Sequence, residues 1–154
     1  MKKVIISPFS QKLRNGENNP KNFPYWEEVV KTLQNNNVFV TQIGVAGEPD
    51  IGANEKRFNL KLKDLSIFLK NCDTWASVDN FFNHFAALQK KKGVVVFGKS
   101  DPDIFGYPWN VNLLKNRSFL RPLQFDIWER EKFSPECFVS ANTVSMAILS
   151  ILNI

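Results

Sequence analysis

A chain of 154 residues with 44% hydrophobic content is large enough to bury a substantial core and fits one compact domain rather than two. Its two cysteines, Cys72 and Cys137, stand far apart without CxxC spacing, which suggests neither a zinc site nor a disulfide framework and fits a reducing, cytoplasmic setting. Twenty Lys and Arg against 15 Asp and Glu give net charge +5, which favours anionic partners without separating nucleic acid from small phosphorylated ligands. The apolar run behind Lys2 and Lys3 is too short for a signal-peptide core, and no later stretch is long enough to span a bilayer.

Val4-Ile5-Ile6 is a continuous apolar run, as expected of a strand buried on both faces of a parallel sheet, and it ends near Ser7-Pro8. From Pro24 the period changes. Trp26, Val29, Val30 and Leu33 recur at helical spacing, and Asn35-Asn36-Asn37 supplies the stop. Val38 to Ile43 is β-rich and closed by Gly44, so the first 44 residues predict a βαβ unit.

A Gly/Pro-rich loop through Gly47-Glu48-Pro49 and Gly52 precedes a short helix carrying Leu62, Leu65, Phe68 and Leu69. The pattern predicts a third strand over Thr74–Val78. A helix capped by Asp79 follows, carrying Phe82, Phe85, Ala86 and Leu88, and then the clearest buried strand, Gly93–Gly98. Ser100 to Lys132 is less periodic and rich in aromatics. Val144, Ala147, Ile148 and Ile151 outline a closing helix that Ser140 or Asn142 can cap. No repeat, low-complexity tract or linker interrupts residues 1–154, so the expectation is a single Rossmann-like α/β domain, three layers deep, with a mostly parallel sheet.

In such sheets ligands gather at the carboxyl ends of the strands, where helix N-termini also point, which directs attention to the loops after Ile6, Ile43, Val78 and Phe97. The loop Ser7–Phe23 is long for a strand-to-helix connection and carries Lys12, Arg14 and Lys21, cations suited to a diphosphate; a solvated surface loop explains them equally. Asp79 fits a helix cap or a ligand-hydroxyl acceptor, while His84, the only histidine, fits a phosphate or sugar contact or a satisfied structural group. Gly98 permits close approach of a ligand to the backbone, and Ser100 with its neighbouring amides can meet phosphate oxygens. Phe105-Gly106-Tyr107-Pro108-Trp109-Asn110 can stack on a base or sugar or simply pack. Lys90-Lys91-Lys92 reads as a solvated helix end rather than a nucleic-acid patch. The absence of GxGxxG, Walker A, HExxH and nucleophile-elbow motifs disfavours the usual dinucleotide, nucleoside-triphosphate and hydrolase readings.

Taken together, these motifs resemble the carboxyl-terminal, donor-binding half of family 9 glycosyltransferases, the heptosyltransferase-like group with the GT-B fold. Pro20-Lys21-Asn22-Phe23-Pro24-Tyr25-Trp26 is similar to the family's Lys-x-Trp-Pro segment. Ser77 to Ala87 resembles its Asp-Ser/Thr-Gly-x-x-His-x-x-Ala signature, with Phe97-Gly98-Lys99-Ser100-Asp101-Pro102 following at the right distance, and Glu136-Cys137-Phe138 to Ile148 resembles the last helix. The resemblance implies a nucleotide sugar as substrate and no metal or other cofactor. It implies further that Lys21, with Ser7 and Lys12 in the same loop, contacts the donor diphosphate; that Asp79, Asn80 and His84 shape the phosphate and sugar site; and that Gly98 and Ser100 line it. Asn80 and Phe81 replace the small Ser/Thr and Gly of the pattern, so access to that helix N-terminus is expected to be altered. In the family an amino-terminal half binds the acceptor and supplies the base; no residue here matches that base, so the catalytic residue is unassigned, and an acceptor-domain partner or a second copy is expected. A non-catalytic nucleotide-binding or protein-interaction module derived from such a half fits the same residues.

Overall fold

The computed structural model describes residues 1–154. Six strands form one sheet: β1 (Lys2–Ser7), β2 (Val38–Gly44), β3 (Glu55–Phe58), β4 (Thr74–Val78), β5 (Val94–Phe97) and β6 (Val111–Leu114). Five helices connect or flank them: α1 (Trp26–Asn35), α2 (Leu62–Asn71), α3 (Phe81–Leu88), α4 (Pro102–Phe105) and α5 (Ala141–Leu152). The strand order is β3-β2-β1-β4-β5-β6 and every neighbouring pair is parallel, so the sheet is wholly rather than mostly parallel.

This topology fixes where a ligand can enter. The chain starts at β1 in the middle, builds outward through β2 to β3, then returns to lay β4 against the other side of β1. The connections from β1 and β4 therefore leave in opposite directions, and a crevice opens between them at the carboxyl edge.

Side chains alternate between the two faces of the sheet with the two-residue period of a strand, and a core covers each face. Val4 and Ile6, Val38 and Val40, Ala76 and Val78, and Val94 and Val96 face the core shared with α1 and α5. Ile5, Ile43, Trp75, Val95 and Phe97 face the core beneath α2 and α3. Each fully buried apolar side chain contributes about 1.5–3 kcal/mol, so the two cores outweigh any single polar contact.

Helix ends follow local chemistry. Asn37, in the left-handed region at φ 59°, stops the chain after α1, and Ser140 caps α5 by accepting from the Thr143 N–H. The cap of α3 is Asn80, not Asp79 as the pattern suggested: the Asn80 side chain accepts from the N–H groups of Phe82 and Asn83. Leu88, expected on the apolar face of α3, is 82% exposed.

Two strands escaped the sequence pattern, so the run at Thr74–Val78 is the fourth rather than the third. β3 reads Glu-Lys-Arg-Phe and forms an edge, where charge discourages further pairing. β6 is the opposite edge and only half-buried. Lys91 also departs from the solvated reading. Its ammonium donates to the carbonyls of Leu69, Lys70 and Cys72, closing the C-terminus of α2.

Candidate functional site

A cleft of about 920 Å³ lies at the carboxyl edge of the sheet, within the roughly 300–1,000 Å³ range of small-molecule sites. Its walls come from the loops after β1, β2 and β3 and from the starts of α2 and α3. One side is apolar, with Ile43, Leu60, Leu62 and Leu65; the other carries Ser7, Ser10, Gln11, Asn22 and Asn80. Two cations, Lys12 and Arg57, and two carboxylates, Glu17 and Glu48, also line it. An apolar slot beside hydroxyls, amides and balanced charge suits a ligand with one flat apolar part and one richly hydroxylated or anionic part.

The long loop after β1 is held by its own asparagines. Asn19 accepts from the Lys21 N–H and donates to the Gln11 carbonyl, while Asn22 accepts from the Ser10 N–H. The Trp26 indole donates to the Pro8 carbonyl at 3.0 Å, tying the loop to α1. Asn80 joins the two sides of the crevice: its amide donates to Ser7 O, Ser7 Oγ and Phe9 O at 3.0–3.2 Å while its oxygen caps α3. The Ser10 hydroxyl adds a bond to the Asp79 carbonyl at 2.8 Å.

On the β2 side, Val45 N–H donates to the Glu48 carboxylate, which packs against Gly44, where any Cβ would collide with it. Burial raises the Glu48 pKa above the usual carboxylate value, and the Val45 hydrogen bond partly offsets this.

Of the residues singled out in the sequence, Ser7, Lys12 and Asn80 meet in the cleft. Lys21 and Asp79 lie beside it as a pair, with Nζ 3.6 Å from Oδ2, and the Lys21 ammonium sits 5.2 Å from the centre of the Trp128 ring. His84 turns towards the loop after α4, its Nδ1 2.8 Å from the Tyr107 hydroxyl. Gly98 packs against Cys137 and Phe138, and Ser100 is buried in the loop after β5. These last three do not line the cleft. Sequence reasoning missed Glu48, Arg57 and Asn59. Glu48 stood in the loop after Ile43 that topology had flagged, whereas Arg57 and Asn59 follow a strand that its polar sequence hid.

No protein-family model and no curated protein matches the sequence. Solved structures do match. A family 9 glycosyltransferase from Veillonella parvula DSM 2008 superposes at TM-score 0.74 and 14% identity, covering 99% of this chain and 46% of its own. E. coli ADP-heptose lipopolysaccharide heptosyltransferase II gives 0.70 at 15% identity, covering 99% and 46%. E. coli heptosyltransferase WaaC with ADP gives 0.68 at 16% identity, covering 97% and 44%. The chain has the fold of about half of such an enzyme. It spans just under half the length of each of these glycosyltransferases, in keeping with the half-domain resemblance read from the motifs. No helix is long and apolar enough to cross a membrane.

Proposed function

We propose that the chain binds a nucleoside diphosphate sugar in the cleft and acts as the donor-binding part of a glycosyltransferase. The observation that carries this reading is the position of the cleft, at the switch point between β1 and β4, on a fold shared with an enzyme solved with ADP. The apolar wall of Ile43, Leu60 and Leu65 would take the base. The Glu48 carboxylate, which lines the cleft, would accept from the ribose hydroxyls, as acidic residues after the second strand of nucleotide-binding sheets do. Lys12, Ser7 and Ser10 would face the diphosphate. Lys21 would join them by leaving Asp79, whose 3.6 Å contact is longer than a good charge-assisted hydrogen bond. The charge on the departing diphosphate would then be met by Lys12, already in the cleft, and by the released Lys21. The acceptor, and the base that activates it, belong to an acceptor-domain partner or a second copy. The two free thiols fit the reducing, cytoplasmic setting expected of the sequence.

One observation favours a second reading, a nucleotide-binding module without transfer. The Phe82 and Asn83 amides of α3, which an anion would otherwise use, are already satisfied by Asn80.

Thermal unfolding with ADP and ADP-sugars tests the proposal. Free ligand about 100-fold above Kd stabilises by about 2.7 kcal/mol, or some 5–11 °C for a chain of this size. The shift should shrink in Lys12→Ala and Glu48→Gln. Absence of any shift across adenosine, uridine and guanosine diphosphates would refute it. Binding without glycosyl transfer to water or to any acceptor when a partner is supplied would select the second reading.

A further inference from the structure

Arg121 lies within the irregular aromatic segment Ser100–Lys132, and its side chain is 1% exposed. Its backbone N–H donates to the Lys99 carbonyl at 3.0 Å, fixing it to the loop after β5. The Trp128 ring covers one face of the guanidinium, 4.0 Å from Cζ, and Nη2 donates to the Ile127 carbonyl at 3.1 Å. Nε and Nη1 have no hydrogen-bond partner. Beside it, the Lys99 side chain is 14% exposed and its ammonium donates to the Lys132 carbonyl at 2.7 Å.

A single carboxylate serves both cations, and serves them loosely. Glu131 lies 3.7 Å from Arg121 Nε and 3.5 Å from Lys99 Nζ. Far more exposed pairs elsewhere, Lys56–Asp50 and Arg117–Asp101, close to 2.8 Å. Physical chemistry demands the reverse, since a buried guanidinium gains its keep in the fold only when its donors are used and its charge is matched. A second largely buried pair, Lys21–Asp79, also meets Trp128, with Lys21 Nζ 5.2 Å from the ring centre, and brings one charge of each sign, so the group keeps an excess of one cation.

We propose that Arg121 and Lys99 form an anion-binding site for a phosphate or carboxylate group, in which Glu131 stands in as an internal anion until the ligand displaces it. An entering oxyanion would displace the Glu131 carboxylate and take its place between the unpartnered Nε of Arg121 and the Lys99 ammonium. The site does not rest on nucleotide binding in the cleft. Its anion can be free, or it can be a charged group carried by the ligand of the cleft, since Asp79 directly precedes the cleft residue Asn80.

Inorganic phosphate, titrated at constant ionic strength and followed by calorimetry and thermal unfolding, tests the site in wild type, Glu131→Gln and Lys99→Met. Glu131→Gln is expected to unfold at a lower temperature without phosphate, to bind phosphate about tenfold more tightly because the competing like charge is gone, and to regain more stability with phosphate than wild type does. Lys99→Met is expected to lose most of the binding. A merely structural Glu131 would lower stability with no gain in phosphate affinity, and that result overturns the proposal, as does the lack of saturable binding in both wild type and Glu131→Gln. Repeating the titration with ADP present separates the sources. Unchanged phosphate binding identifies a free anion, and mutual exclusion identifies a phosphate of the nucleotide; both uphold the site.

Discussion

Replacing Asn80 by Ala removes the side chain that both caps α3 and ties its start to the loop after β1. Loss of the cap to the Phe82 and Asn83 amides costs about 1 kcal/mol. The amide nitrogen makes contacts with Ser7 O, Ser7 Oγ and Phe9 O, but it has only two hydrogens, so two hydrogen bonds are counted, at about 1 kcal/mol each. The sum is about 3 kcal/mol, which corresponds to a fall of roughly 6–12 °C in Tm for a chain of this length. Asn80→Ser keeps a capping oxygen but loses the reach to Ser7 and Phe9, so it should lose about 2 kcal/mol, in keeping with the bonds removed. Urea unfolding followed by circular dichroism and tryptophan fluorescence measures both. If Asn80→Ser is as stable as the wild type, the tie across the crevice contributes nothing. If Asn80→Ala loses less than about 1 kcal/mol, the cap and the tie are both overvalued.

Three further outcomes follow from the packing and the pKa shifts. Burial pushes the thiols of Cys72 and Cys137 up to about 11 from 9.0, so unfolded chains ionise first as the pH rises; the thiols' contribution to stability should be complete below pH 9 and fall between 9 and 11, by on the order of 2 kcal/mol per thiol. Urea midpoints from pH 7 to 11 check this, and Cys72→Ser with Cys137→Ala should flatten the curve. The raised pKa of Glu48 means that its contribution is complete below its unfolded value and is lost as the pH rises through the folded one; a wild-type-minus-Glu48→Gln stability difference that grows in favour of wild type with rising pH would contradict that sign. In Gly98→Ala the new methyl meets Cys137 Sγ at 2.6 Å and the Phe138 ring at 2.8 Å, so overpacking should cost about 1–3 kcal/mol while nucleotide binding to the remaining folded protein is unchanged; a stable variant with lost binding would move Gly98 into the ligand site.

How much of this was legible depended on how strongly each segment's sequence is tied to its burial. β1, β2, β4 and β5 are buried on both faces, so their apolar runs announce them, and α1 and α5 carry a clear helical stripe. β3 and β6 have only one neighbour each, so half of their backbone groups can stay in solvent and their side chains need not be apolar. The cap of α3 was misassigned to Asp79 by one position. Asp and Asn both cap well, and sequence alone does not say where β4 releases the chain.

The site divides along the same physical line. Topology pointed to the loops after β1, β2, β4 and β5; the first three do line the cleft, at the crevice that strand order opens beside β1, whereas the loop after β5, with Gly98 and Ser100, does not. It could not say which way each side chain turns. Lys21 and Lys12 belong to one loop, yet the asparagine bonds at Asn19 and Asn22 fold that loop so that Lys12 faces the cleft and Lys21 faces Asp79 and Trp128. Trp128, Arg121 and Glu131 come from a stretch with no period at all, about a hundred residues downstream of Lys21, and nothing in their spacing joins them to it. Such contacts arise because a buried cation recruits whatever aromatic face and carboxylate the fold brings near. The positions of Lys12 and Lys21 therefore make separate demands on a ligand: Lys12 is free to meet one at once, and Lys21 must first give up Asp79. A ligand that engages both must be anionic enough to replace that carboxylate, which a diphosphate is and a neutral nucleoside is not.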